Sequence, residues 1–251
     1  MIKYIEKSIG RKESGQYMNR YDYIIFDIDD KLFQYKKAER HIMSRIFEEE
    51  NQSIDEDVYE ALWALSWKHW DRYHLSNPDT EELQSRYHEY YHKHLYEYMD
   101  EMRERYHLKA SKEILHDKFL DYFEESTESV ENADFVVKEL ADRHCLAAAS
   151  NGLTKAQNRR MEKYREYFQY VFISEELGAC KPDRRFWEQV FQKIPVRPNN
   201  CLMVGDSIHT DIAGAAAYGI HTCWLNSGKR INDTGILPDM EISNLSELLE
   251  I

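Results

Sequence analysis

Three carboxylates fall within four positions, Asp27-Ile28-Asp29-Asp30, directly after the apolar run Tyr23-Ile24-Ile25-Phe26. Like charges at that spacing repel, so folding does not favour the cluster unless something compensates it. A hard divalent cation such as Mg²⁺ supplies that compensation, because it takes carboxylate oxygens as ligands. The plainer alternative is a turn or a helix cap, where aspartate is common. A second acidic group follows another apolar run, in Gly205-Asp206-Ser207-Ile208-His209-Thr210-Asp211, ahead of a small-residue helix start at Gly214-Ala215-Ala216-Ala217. If the two runs are neighbouring strands, Asp27 and Asp206 can share one metal. Otherwise Asp206 reads as the N-cap of the helix that follows.

Two more polar stops complete the set. Ser150-Asn151-Gly152 closes the run Cys145–Ala149. A hydroxyl followed by free backbone N–H groups at a helix start is a phosphate-binding arrangement, although the same residues are common in plain loops. Lys181 stands before Pro182 in Gly178-Ala179-Cys180-Lys181-Pro182-Asp183, so it lies outside the helix that begins there. A lone lysine is usually a surface residue. This one draws attention through its place in the order of the other three.

The elements that must position these residues are legible as short apolar runs ending in polar residues. Tyr23–Phe26, Cys145–Ala149, Tyr170–Ile173, Cys201–Val204 and His221–Leu225 have the length and composition of strands buried on both faces. Helical stretches such as Lys155–Arg165 and Asp183–Lys193 lie between them. Alternating strand and helix predicts right-handed crossovers, hence an α/β fold: a Rossmann-like parallel sheet with helices on both faces. Residues 34–126 differ. They hold no convincing strand and repeat apolar residues at helical spacing, as at Leu62, Leu65, Trp67 and Trp70. They predict an all-helical cap over the sheet's carboxyl edge, where open α/β sheets bind ligands. The expected organisation is a tail at 1–19, a core at 20–33 and 127–251, and a cap at 34–126.

Composition narrows the partners. The chain has 251 residues, 33 Lys+Arg against 46 Asp+Glu and a formal net charge of −13. That balance argues against a nucleic-acid polymer or an anionic membrane as the main partner, yet it leaves room for a small anionic substrate inside one cleft. No apolar run is long enough for a transmembrane helix. The N-terminus lacks the apolar centre of a secretory signal, and Met18 offers an alternative start. Cys145, Cys180, Cys201 and Cys223 stand singly, which predicts reduced, mostly buried thiols in a cytoplasmic protein.

Together, FDIDD (26–30), SNG (150–152), CKPD (180–183) and GDSIHTD (205–211) resemble the four ordered motifs of the haloacid-dehalogenase-like superfamily, in its branch with a helical cap after the first strand. The resemblance spans residues 15 to about 245. SNGLTKAQNRRME (150–162), FISEELGACKPD (172–183) and CWLNSGKR (223–230) are similar to the type that hydrolyses pyrimidine and noncanonical nucleoside 5′-monophosphates. The resemblance implies a Mg²⁺-dependent phosphomonoester hydrolase, monomer or homodimer, acting on a small phosphorylated substrate. Asp27 would be the nucleophile that forms an aspartyl-phosphate, and Asp29 the acid and then the base. Asp27, the main-chain carbonyl of Asp29, and Asp206 would hold Mg²⁺. Ser150 with the backbone near Asn151 and Gly152 would bind phosphate, Lys181 would offset charge, and Asp211 would orient Lys181 or the metal's water. A phosphomutase, or a binding protein with a weakened site, remains an alternative. Asp29 favours phosphate chemistry, because dehalogenases of the superfamily lack an acid at that position.

One residue departs from the pattern. Lys31 stands where the family usually has threonine or valine. It either points to solvent or pairs with Asp27 or Asp206 in competition with the metal, and turnover is expected to be lower than in a threonine version. The histidines His69, His74, His88, His92 and His94 read as solvated or hydrogen-bonded rather than ligating. The stripe Trp63, Trp67, Trp70 and Tyr73 reads as helix-packing core, with one or two rings free to stack on a base.

Overall fold

The computed structural model describes residues 20–251. The expected tail and Met18 lie outside them. Six parallel strands, β1 (Tyr23–Phe26), β2 (Cys145–Ser150), β3 (Phe168–Ile173), β4 (Cys201–Gly205), β5 (His221–Leu225) and β6 (Met240–Ile242), lie in the order β3-β2-β1-β4-β5-β6. Five of these are the apolar runs of the sequence. The sixth, Met240-Glu241-Ile242, is too short and too polar to stand out.

β1 shows why the runs are apolar throughout. Ile24 and Phe26 pack on one face with Val136, Leu140 and Leu202. Tyr23 and Ile25 pack on the other with Phe186, Trp187, Val190 and Met203. Successive side chains of a strand point to opposite faces, so a strand covered on both sides has no solvent-facing position. β1 is also central. Phe26 is level with Ala148 of β2 and Val204 of β4, which sets Asp27 between the ends of those two strands.

Between β1 and β2 run six helices: five inserted ones, α1 (Tyr35–Glu49), α2 (Glu56–Arg72), α3 (Glu81–Ser85), α4 (Tyr87–Tyr106) and α5 (Lys112–Glu125), and then α6 (Ala133–Ala141), which packs on the sheet. Asp55, Thr80 and Ser111 cap α2, α3 and α5 by accepting from backbone N–H groups of the first turn. The inserted helices share one apolar core that includes Ile42, Ile46, Leu62, Leu95, Met99 and Phe119, and it continues into Leu153, Ala156 and Cys180 at the sheet edge. On α2 the buried face is Leu62, Leu65 and His69. Trp63, Trp67 and Trp70 sit on the adjacent face, and Trp67 is 44% exposed. The stripe thus divides: Trp70 and Tyr73 pack against the helical core, while Trp63 and Trp67 turn toward the cleft between the helices and the sheet edge, because the leucines already fill the buried side.

Three of the histidines have polar partners, while His94 is buried edge-on against Trp70 and Tyr91 with Nδ1 unpartnered. His69 faces Glu97 and Glu101, His88 meets the Ser174 hydroxyl, and His92 meets His116. All four cysteines are free thiols, three of them buried. No helix among the described residues is long and apolar enough to cross a membrane.

Glu39 of α1 is buried in the helical core. The Tyr98 hydroxyl lies 3.4 Å from Oε1, and Oε2 has no partner. Burial pushes its carboxyl up to about 8, against the weaker pull of Ser66 and Tyr98. The unfolded chain ionises Glu39 near its ordinary value. Stability tied to the neutral form is therefore complete below that value and is lost as pH rises toward 8, at about 1.4 kcal/mol per pH unit crossed. Glu39→Gln should match wild type in thermal unfolding near pH 4 and exceed it by on the order of 3 kcal/mol at pH 7.5. Equal stability of the two proteins at both pH values would contradict the buried, neutral assignment.

Candidate active site

Asp27 leaves the end of β1 with its N–H donating to the Val204 carbonyl at 2.9 Å, so its position is set by the sheet. The chain then turns tightly. Leu32 N–H donates to the Ile28 carbonyl at 2.9 Å, Asp30 N–H donates to the Phe33 carbonyl at 2.7 Å, and Asp30 adopts φ 59°. Leu32 and Phe33 are buried, and this turn carries the Lys31 side chain back over the end of β1.

Around Asp27 the charges alternate in sign. Lys181 Nζ donates to Asp27 Oδ1 at 2.8 Å, Asp211 Oδ1 at 2.7 Å and the Ala149 carbonyl at 2.6 Å. Lys31 Nζ pairs with Asp27 Oδ2 at 2.5 Å and also with Asp206 Oδ1. Both ammonium groups are buried, at 2% and 1% exposure. Burial alone would push the Asp27 carboxyl up, but Lys181 and Lys31 together hold it below the ordinary aspartate value. Burial would lower both lysines, and the carboxylates around them more than reverse this. Asp206 and Asp27 hold Lys31 well above its ordinary value, and Asp211 and Asp27 raise Lys181. The group is a set of mutually paired ions.

The surrounding backbone fixes each member. Asn151 clamps Lys181 in both directions: its side-chain amide donates to the Lys181 carbonyl at 2.8 Å and its Oδ1 accepts the Lys181 N–H at 2.7 Å. Asp211 Oδ2 accepts from Ser207 N–H at 3.1 Å. The Ser207 hydroxyl, rather than Asp206, caps the turn at Ile208–Ile212 by accepting from Thr210 N–H at 3.2 Å. The Asp206 carbonyl accepts from Trp224 Nε1 at 2.9 Å and from the Arg230 guanidinium at 2.5 Å. Gly205 is required by proximity. A Cβ there would lie 2.3 Å from Asp211 Oδ2 and 2.4 Å from its Cβ.

Asp29 belongs to the same mouth but to a different set of partners. Its Oδ2 accepts from Gln157 Nε2 at 2.7 Å and its Oδ1 from the Arg160 guanidinium at 2.6 Å. Both donors lie on α7 (Thr154–Met161), three residues apart and so on one face. Arg160 is fully buried, stacked between Phe33 and Phe123, and also donates to the Ser126 carbonyl. Neither residue stands out in the sequence beyond its place in the SNGLTKAQNRRME stretch. Ser150 Oγ accepts from Gln157 Nε2 at 3.0 Å and from Gly152 N–H at 3.1 Å. The Gly152 amide and the Asn151 side chain are thus engaged inside the protein, while the Ser150 hydroxyl, which accepts the bonds from Gln157 and Gly152, still has its O–H to donate.

Two of the expected Mg²⁺ ligands, the carboxylates of Asp27 and Asp206, come together. Asp27, Asp206 and Asp211 bring carboxylate oxygens within 4.8 Å of one another, the one such group of His, Cys, Asp or Glu ligands among the described residues. Mg²⁺ requires oxygens at about 2.1 Å in an octahedral set. Here a lysine ammonium bridges Asp27 and Asp206, and Asp211 is committed to Lys181. The arrangement does not fit a divalent ion beside Lys31. Of the two orientations open to Lys31 in the sequence, the structure has the paired one.

Above this group a cleft of about 660 Å³ opens between the sheet edge and the helices. Asp27, Asp29, Lys31, Ser150, Lys181 and Asp206 line its floor, and Tyr35, Trp63, Trp67, Trp70, Tyr87 and Tyr91 line its walls.

A parallel sheet with a helical insertion after its first strand, and an aspartate-lysine site at its carboxyl edge, defines a class of hydrolase. The sequence profile of the haloacid dehalogenase-like hydrolases matches residues 21–219, and the chain belongs to that family. It is 26% identical over 240 residues to YfnB of Bacillus subtilis strain 168, described as a HAD-hydrolase, covering 93% of this chain and 96% of YfnB. A crystal structure of YfnB bound to magnesium superposes with a TM-score of 0.80 at 25% identity, over 92% of this chain and 98% of that one. Pyrimidine 5′-nucleotidase YjjG of Escherichia coli strain K12 is 26% identical over 236 residues, covering 92% of this chain and 98% of YjjG. A dehalogenase structure shares the fold at 19% identity with a TM-score of 0.72, over 92% of this chain and 96% of that one.

Gly205→Ala should drive the Asp211 carboxylate off Lys181 and lower stability by about 2 kcal/mol, read as a fall in the urea midpoint. An unchanged midpoint would show that Asp211 is free to move.

Proposed function

We propose that the protein is a phosphomonoester hydrolase that forms an aspartyl-phosphate on Asp27 and takes a small substrate with a flat ring, such as a nucleoside 5′-monophosphate. The observation that carries this reading is Asp27 itself: a carboxylate at the end of the central strand, kept ionised by two buried ammonium groups and opening into a cleft.

Catalysis would proceed in two displacements. An Asp27 oxygen attacks phosphorus and the bond from phosphorus to the ester oxygen breaks, while Asp29 in its acid form gives its proton to the departing alkoxide. Asp29, now a carboxylate, takes a proton from water. That water attacks phosphorus, the bond from phosphorus to Asp27 breaks, and inorganic phosphate leaves with Asp27 restored. Gln157 and Arg160 each engage one Asp29 oxygen and so fix the orientation of the carboxyl group. Lys181 and Lys31 offset the charge of the phosphoryl group, and the Ser150 hydroxyl donates to one of its oxygens. Lys181 is the best-fixed of these, through Asn151 and Asp211. The helical unit at 34–126 would act as the cap.

The substrate reading rests on the cleft wall and on the relatives. Trp63 and Trp67 meet edge to face with centroids 5.8 Å apart, which leaves ring surface for a base to stack on. The relative YjjG is a pyrimidine 5′-nucleotidase. An acid at position 29 favours phosphate chemistry over carbon–halogen cleavage.

The direct test is phosphate release from a panel of phosphomonoesters. Asp27→Asn should lower release by about a thousandfold or more in protein that circular dichroism shows to be folded. Absence of release from every ester by wild type would refute the reading. Trp67→Ala should raise KM for nucleoside monophosphates about tenfold and leave KM for a small aliphatic phosphoester within about twofold. Equal changes for both substrates would remove the stacking role.

A further inference from the structure

We propose that Lys31 is the resident cation of the site, standing where a divalent metal would otherwise bridge Asp27 and Asp206, so that the protein binds and turns over phosphomonoesters without Mg²⁺. The turnover part rests on the hydrolase reading above; the exclusion of the metal does not.

The argument is geometric. Lys31 Nζ contacts one oxygen of each of the two carboxylates that would have to coordinate an ion. It is buried to 2% exposure, and its backbone is held by the tight turn from Ile28 to Phe33. Leu32 and Phe33 anchor that turn in the core, so the ammonium cannot leave by a simple shift of the loop. The Asp206 main chain is held from behind by Trp224 and Arg230, and its side chain lies between Lys31 and, at 3.7 Å, the Arg230 guanidinium.

Charge leads to the same place. Asp27, Asp206 and Asp211 carry three negative charges against two positive charges on Lys31 and Lys181. The Arg230 guanidinium, 3.7 Å from Asp206 Oδ2, supplies a third positive charge, so these groups balance without a metal. A divalent ion bridging Asp27 and Asp206 would sit within contact distance of the Lys31 ammonium, and the two cations would repel. A dianionic phosphate entering the cleft would instead meet both ammonium groups together with the Ser150 hydroxyl. Lysine is a compact point charge that binds phosphate in this way, though it brings one charge where Mg²⁺ brings two. Lower turnover than a metal-loaded threonine version is the expected consequence.

The experiment compares wild type, Lys31→Thr and Lys31→Met by calorimetric titration with MgCl2 alone and by hydrolysis of p-nitrophenyl phosphate in EDTA and in MgCl2. Wild type should give no binding heat with millimolar Mg²⁺, and EDTA should change its hydrolysis by less than about twofold. Lys31→Thr should bind Mg²⁺, lose at least about tenfold of its hydrolysis in EDTA, and exceed wild type in MgCl2. Lys31→Met, which keeps the buried stem without the charge, repeats the titration if the threonine variant does not fold. Wild type and variant titrating alike, whether both bind or both stay silent, would overturn the proposal. Wild-type hydrolysis that vanishes in EDTA and returns with Mg²⁺ would overturn it as well. If no protein hydrolyses the ester, the hydrolase reading fails for that substrate and the titrations alone still decide where Lys31 stands.

Discussion

A row of buried charges alternating in sign, Asp206–Lys31–Asp27–Lys181–Asp211, holds the site together. None of the five is stable alone in that position. A buried carboxylate or ammonium without a partner costs several kcal/mol, and breaking one pair strands its neighbour. The row therefore constrains everything that touches it: strand order, the turn after β1, the loop that presents Lys181, and the glycine that lets Asp211 approach.

The fold meets that constraint by bringing four separate chain segments to one sheet edge. Asp27 and Asp206 end neighbouring strands. Lys181 arrives from the loop after β3 and is pinned by Asn151 from the end of β2. The helices then close the other side of the cleft with aromatic surface. Charge at the floor and flat apolar walls above it suit a ligand with an anionic end and a ring.

Much of this was legible in the residues. The five apolar runs and the polar residues that stop them are local features, and their alternation with helices leaves few arrangements for the sheet. Asp27, Ser150, Lys181 and Asp206 all come to one edge as the pattern of strand ends implies. The pairing of Lys31 with Asp206 was one of two readings. It joins residues 175 apart and depends on β1 and β4 being neighbours, which no local signal specifies. Gln157 and Arg160 were missed for a related reason. Each is an ordinary polar residue of a helix, and only the docking of α7 against the turn at Asp29 gives it a role. Which tryptophans of α2 pack on the core and which face the cleft was open, because periodicity reveals an apolar stripe without revealing which edge of it meets solvent.

The central claim is that Asp27 acts as a nucleophile poised by two lysines rather than by a metal. It is tested most directly by acid-quenching the chelator-treated protein during turnover of a phosphomonoester and weighing its peptides. The account predicts the mass of one phosphoryl group on the peptide containing Asp27, absent in Asp27→Asn. An unmodified peptide during active turnover, or a phosphoryl group that forms only when Mg²⁺ is restored, would contradict it.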